Sequence, residues 1–243
     1  MISEKSIVGL SNRDGTISPV EFRKGAHLFS EKWKTVCRTH EHDLPPWSWV
    51  CCKNPLFFTS HEVSGYLLME KMCILSSDKI DEREADHAVE EPDCFESEDH
   101  ADPAMLVQQT SQEAHYYDFH IVYSSSYRIP VLYFRGYCSD GQPLMLDQIE
   151  RDLPPSSIQA LAESKWTFIT QQEHPYLNRP YFTLHPCGTN ELMRLLLGST
   201  SLSEENVRLE CYFVSWLSIV SLVVGLRIPL QLAAYSPEKQ HNS

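Results

Sequence analysis

Two short stretches hold the residues that could do chemistry: Glu173-His174-Pro175 and, eleven residues on from His174, His185-Pro186-Cys187-Gly188-Thr189-Asn190. Prolines close both ends of the run Tyr176 to Leu184, so Cys187 falls on a stiff turn after an apolar strand. A helix pattern, Asn190 to Leu197, follows, with Thr189 or Asn190 available as its N-cap and Gly198 as its stop. A thiol near a helix N-terminus meets the positive end of the dipole and unpaired N–H groups, which favour thiolate. Thiolate attacks an acyl carbon well and leaves it well, so one such residue can take up and surrender an acyl group with no metal or cofactor. The competing reading of Cys187 is a small buried apolar residue, the usual lot of a cysteine. His174 and His185 are expected to shape their turns rather than carry protons, because the proline after each restricts its backbone.

Several elements must position these residues. Ser18, Pro19 and Glu21 spell the start of a helix, and Val20, Phe22, Ala26, Phe29, Trp33 and Val36 or Cys37 recur near its period. Its basic residues are read as a solvated face. Trp47 to Phe58 and Gly65 to Leu75 read as two strands. From Asp78 to Asp102 there are twelve acidic residues against Lys79 and Arg83, too charged a run to offset its ordering entropy, so residues 78–103 are expected to be a disordered insertion. Tyr117, Phe119, Ile121 and Tyr123 alternate on a strand that pairs with Ile129 to Tyr137, with His115 and His120 expected on a polar face. Leu144 to Ile149 reads as a short helix or turn and Ser156 to Ser164 as a second short helix. Cys211 to Leu226 carries no charge; at sixteen residues it is shorter than a bilayer span of about 20, so a buried helix with no transmembrane span is expected. Its serines three apart are expected to let it approach a sheet closely.

The fold class follows as α+β: an N-terminal helix, a four-stranded antiparallel meander, the cysteine, then C-terminal helices. One domain over 19–235 is expected, flanked by flexible tails at 1–18 and 236–243. A formal charge of −13 with no basic cluster argues against nucleic acid as a partner. Eight irregularly spaced cysteines, with no secretory signal ahead of them, fit reduced thiols and a cytoplasmic setting. Cys37, His40 and His42 with Cys51-Cys52 come near metal-ligand spacing. Neighbours on a strand point to opposite faces, however, so no metal is expected there.

The run Thr170-Gln171-Gln172-Glu173-His174-Pro175, with His185-Pro186-Cys187 and Thr189-Asn190-Glu191, resembles the autophagy E2-like conjugating enzymes. Tyr127 to Arg135, Asp140-Gly141-Gln142-Pro143-Leu144 and Ser215-Trp216-Leu217-Ser218-Ile219-Val220 support the likeness, which spans about Tyr116 to Leu230. The closer resemblance is to the type that joins autophagy-related protein twelve to autophagy-related protein five. It implies an E2-like (UBC-like) core and a glycyl thioester on Cys187. The modifier, autophagy-related protein twelve, would come from the E1-like autophagy-related protein seven and pass to a lysine of autophagy-related protein five. Ubiquitin E2s place an asparagine in a His-Pro-Asn motif to stabilise the oxyanion; none occurs here. Asn190 and Asn178 are the nearby candidates, with Gln171 and Gln172. Three other readings compete: the sister E2-like enzyme that lipidates autophagy-related protein eight, a cysteine hydrolase pairing Cys187 with a distant histidine such as His120, and a non-catalytic E2-like adaptor.

Overall fold

Ser18 opens helix α1 (Pro19–Thr39) with a reciprocal cap: its hydroxyl accepts the Glu21 N–H at 3.2 Å while Glu21 accepts the Ser18 N–H at 2.8 Å. The structure, a computed structural model, describes residues 14–40, 42–52, 65–75, 114–155, 169–197 and 204–233. The expected acidic insertion, the short helix Ser156 to Ser164, the Gly198 stop and the C-terminal tail lie outside those residues. Phe22, Ala26, Phe29, Trp33 and Val36 line the buried face of α1. Val20 does not join them and is exposed, because two residues along a helix is more than half a turn from Phe22. The segment just before the helix is docked rather than loose. Ile17 is fully buried, its N–H donates to the Arg128 carbonyl at 2.9 Å, and its carbonyl accepts the Tyr123 hydroxyl at 3.0 Å.

The described strands are β1 (Ser48–Cys51), β2 (Gly65–Leu75), β3 (Ala114–Ser124), β4 (Ile129–Tyr137), β5 (Ile169–Glu173) and β6 (Pro180–Leu184). They form one antiparallel sheet in the order β1-β2-β3-β4-β6-β5. The first four are the expected meander, but the sheet has six strands, not four. The extension is a hairpin that the prolines conceal. His174 donates its N–H to the Arg179 carbonyl at 2.8 Å, and Asn178 turns the chain at φ 51°, a left-handed value asparagine tolerates. Residues 174–179 are therefore a hairpin loop, and the strand leading to Cys187 begins only at Pro180. β6 lies against β4, pairing Thr183 with Tyr133, which brings the cysteine turn beside the sheet centre.

Alternation divides the sheet. Tyr117, Phe119, Ile121 and Tyr123 of β3, with Leu132 and Phe134 of β4, face α1 in the main core. Val122, Val131, Tyr133 and Tyr181 make a second cluster on the other face. His115 shares the parity of Tyr117 and so faces the main core, not a polar surface. Its Nδ1 lies 2.7 Å from Asp152, which also accepts the Tyr117 hydroxyl. Burial, then that bond, raises the Tyr117 pKa strongly.

The helical layer completes the fold with α2 (Leu146–Asp152), α3 (Thr189–Leu197) and α4 (Glu205–Val224), then a 3-10 turn at Leu230–Leu232. At twenty residues α4 meets the length of a bilayer span, so length does not argue against one; packing does. Leu209, Tyr212, Phe213, Trp216 and Leu217 are all buried in the main core. The close approach comes from α1, where a Cβ on Gly25 would lie 2.5 Å from the Phe213 ring. The serine stripe has another role: Ser218 and Ser221 bond to carbonyls of their own helix. The basic residues of α1 are not simply solvated, since Lys24 pairs with Glu205 at 3.1 Å and Lys32 with Glu210 at 2.7 Å across the α1–α4 contact.

Candidate active site at the second histidine–proline turn

After Leu184 the chain leaves the sheet through His185 and Pro186, and the Thr189 N–H closes a turn onto the Pro186 carbonyl at 3.2 Å. Gly188 sits at φ +80°, a region that favours glycine, and accepts the Leu192 N–H at 3.0 Å. Gly188 is therefore the cap position of α3, and the expected caps, Thr189 and Asn190, lie inside the helix. Cys187 stands half-buried two residues before that helix.

The two histidine–proline pairs are one device used twice. Cys187 donates its N–H to His185 Nδ1 at 3.2 Å, and Tyr176 donates its N–H to His174 Nδ1 at 3.3 Å. The intervening proline has no N–H, so each imidazole reaches the next one along. A neutral imidazole that accepts at Nδ1 carries its proton on Nε2. His174, fully buried, can therefore donate from Nε2 to His120 Nδ1, 3.0 Å away. Tyr66 stacks on His120 at 4.8 Å, while Tyr133 and Tyr181 close around His174 at 5.2 and 5.0 Å.

His120 thus faces away from the main core, as its parity requires, but it is buried under tyrosines and joined to His174. Desolvation pushes His174 down to about 4; desolvation, then its neighbour His174, pushes His120 down to about 3. Both folded values lie below the ordinary histidine value near 6.5, so the unfolded chain binds protons first as pH falls. Stability should be complete above pH of about 6.5 and decline from there toward pH 4, before most carboxylates titrate. Thermal midpoints measured from pH 7.5 to 4.5 should show that early onset. A flat profile down to pH 5 would contradict the neutral pair.

Cys187 opens onto a cleft of about 370 Å³ walled by Pro130, Leu184, Leu192, Leu195, Trp216 and Val220. A smaller cleft of about 200 Å³ lies across the His185-Pro186 ridge, with Gln172, Tyr127 and Tyr133 in its lining. Gln172 is thus brought near the turn, while Gln171, its neighbour on β5, points to the opposite face. Asn178 is exposed at the hairpin turn, and its residue type is accounted for by its backbone. Asn190 is exposed in the first turn of α3, with its carbonyl packed so closely on Gly15 that an added Cβ there would lie 1.7 Å away. The hydrophobic walls were missed from sequence. Leu195-Leu196-Leu197 was a visible sign, since three successive leucines cannot all lie on the buried face of a helix. The described cysteines form no disulfide. His42, one of the candidate metal ligands, bonds to Gln231 at 3.1 Å.

The description "autophagocytosis associated protein, active-site domain" fits residues 21–231. The ubiquitin-like-conjugating enzyme ATG10 of Arabidopsis thaliana is 51% identical over 90% of this chain and 96% of its own length. The Homo sapiens ATG10 enzyme is 41% identical over 58% of this chain and 63% of itself. Autophagy-related protein 3 of Candida glabrata is 31% identical over 45% of this chain and 34% of its own. The chain belongs to the autophagocytosis-associated active-site domain family, the autophagy E2-like conjugating enzymes. Within it the chain is of the ATG10 type, a ubiquitin-like-conjugating enzyme and E2-like transferase.

Proposed function

We propose that Cys187 accepts the C-terminal glycine of autophagy-related protein twelve as a thioester from the E1-like autophagy-related protein seven and passes it to a lysine of autophagy-related protein five. The observation that carries this reading is the placement of Cys187: a thiol on a turn fixed by Pro186, Gly188 and the His185 bond, at the mouth of a cleft. In the first step the Cys187 sulfur attacks the glycyl carbonyl and the E1 thiol leaves. In the second a deprotonated lysine attacks the same carbon and Cys187 leaves, giving an isopeptide bond. The extensive identity to an ATG10 enzyme favours this reading over the autophagy-related protein eight lipidating enzyme. The hydrolase reading is weakened because His120 is taken up by His174 inside the tyrosine cluster. A cytoplasmic site of action accords with reduced thiols. Incubating the protein with the E1-like enzyme, ATP and each candidate modifier should yield one thiol-sensitive adduct on a non-reducing gel, with autophagy-related protein twelve. An adduct with autophagy-related protein eight alone would overturn the assignment.

His185 acts here as a positioning residue, holding the Cys187 N–H. Asparagine can also accept an N–H two residues on, whereas alanine offers no side-chain acceptor. His185→Asn should keep most of the charging rate, while His185→Ala should lose about fivefold, the worth of one hydrogen bond. Equal losses in both would indicate instead that the imidazole moves a proton.

A further inference from the structure

We infer that Asp14-Gly15-Thr16-Ile17, the segment ahead of α1, braces the helix that follows the nucleophile, and that Gly15 is a positioning residue for acyl transfer at Cys187. This deepens the thioester reading and rests on it. Gly15 sits at φ +77°, and a Cβ there would fall 1.7 Å from the Asn190 carbonyl oxygen and 2.8 Å from the Arg194 nitrogen, main-chain atoms one turn apart on α3. The backbone of Gly15 therefore lies directly on α3, in space that no side chain could share. Its φ alone does not require that closeness. Gly141 has a similar φ of +86°, yet a Cβ there would meet nothing within 4 Å.

The segment is anchored from several sides. The Gly15 carbonyl accepts the hydroxyl of Tyr212, a buried residue of α4, at 3.0 Å. Ile17 donates its N–H to the Arg128 carbonyl at 2.9 Å, and the Asp14 carboxylate accepts the N–H and hydroxyl of Thr16 at 3.0 and 2.7 Å. What the segment holds has little else to hold it. Helix α3 has nine residues, of which only Met193 is buried, and a helix so short is marginal by itself. It begins two residues after Cys187, so a shift of α3 is a shift of the nucleophile. Before Cys187, the His185 ring meets Tyr127 at 5.9 Å, and Tyr127 adjoins the Arg128 that Ile17 secures. Four residues thus tie down the chain on both sides of the thiol. A misplacement of about 1 Å at a reacting atom can cost about 100-fold in rate.

The test uses the full chain. Gly15→Ala supplies the blocking Cβ, Tyr212→Phe removes only the hydroxyl that holds the Gly15 carbonyl, and Gly141→Ala repeats the cost in φ where nothing is near. Single-turnover charging would be timed over a range of concentrations of E1-like enzyme loaded with the modifier, and hydrogen exchange followed at the amides of α1 and α3. Gly15→Ala should lose at least about tenfold in maximal charging rate, with the half-saturating E1 concentration unchanged. Its α3 amides from Leu192 onward should exchange at least about tenfold faster, while those of α1 keep their protection. Tyr212→Phe should move both readings the same way by about threefold, the worth of one hydrogen bond, and Gly141→Ala should move neither. Normal charging by a folded Gly15→Ala chain, or exchange that quickens equally in α1 and α3, would overturn the brace and leave the thioester reading standing. If Gly15→Ala does not fold, Tyr212→Phe decides: unchanged charging and α3 exchange in that variant would overturn the brace. A wild-type chain that never charges at Cys187 would remove both.

Discussion

Cys187→Ala should abolish the adduct with the modifier while leaving the thermal transition nearly unchanged, because a half-buried thiol on a turn contributes little to packing. Cys187→Ser separates the two half-reactions. A serine hydroxyl is a far weaker nucleophile than a thiolate, and an oxyester is a worse acyl donor than a thioester. The serine variant should charge slowly, resist reductant, discharge poorly to lysine and accumulate. Cys138→Ala and Cys211→Ala should charge normally. Cys211 lies within α4, where burial raises its thiol pKa, and Cys138 follows β4; neither occupies a turn leading into a helix. A reductant-sensitive adduct that survives Cys187→Ala would refute the site.

The largest loss of stability should come from Trp216→Ala. Trp216 is 2% exposed, belongs to the main core and also forms part of the cleft wall. Truncating a buried tryptophan costs about 3–5 kcal/mol, a large part of the 5–15 kcal/mol that holds an ordinary domain folded. Denaturant titration should show the midpoint falling with the slope preserved. A loss below about 1 kcal/mol would mean that α4 is not packed as described. Trp216→Phe retains most of the volume and should recover much of the stability, so that the effect on charging can be read in a folded protein.

The sequence was most legible where local rules act alone. Ser18 with Glu21 predicts the start of α1, and alternation in β3 predicts which of its residues face the helices, since both depend on neighbours a few positions apart. Cys187 stands out as a candidate for the same reason: proline, glycine and a helix pattern adjoin it. What required tertiary structure was missed. Tyr176 to Leu184 read as one run closed by Pro175 and Pro186, yet its first half is the hairpin loop between β5 and β6, because Pro180 can open a strand where its missing N–H is not required. His115 seemed polar-faced because histidine usually is; only its approach to Asp152 explains its place in the core. Thr189 looked like a cap, but the φ of Gly188 starts the helix a residue earlier. The cleft was not legible at all, because α3, α4 and the start of β4 meet there from distant parts of the chain.

The most direct test of the central claim is to locate the acyl bond. The protein would be charged with E1-like enzyme, ATP and autophagy-related protein twelve, quenched in acid without reductant, digested and sequenced by mass spectrometry. The account predicts the modifier's C-terminal remnant on the peptide holding Cys187, released by hydroxylamine or thiol. A remnant on another cysteine, or one joined to lysine and resistant to both reagents before any acceptor is added, would contradict it.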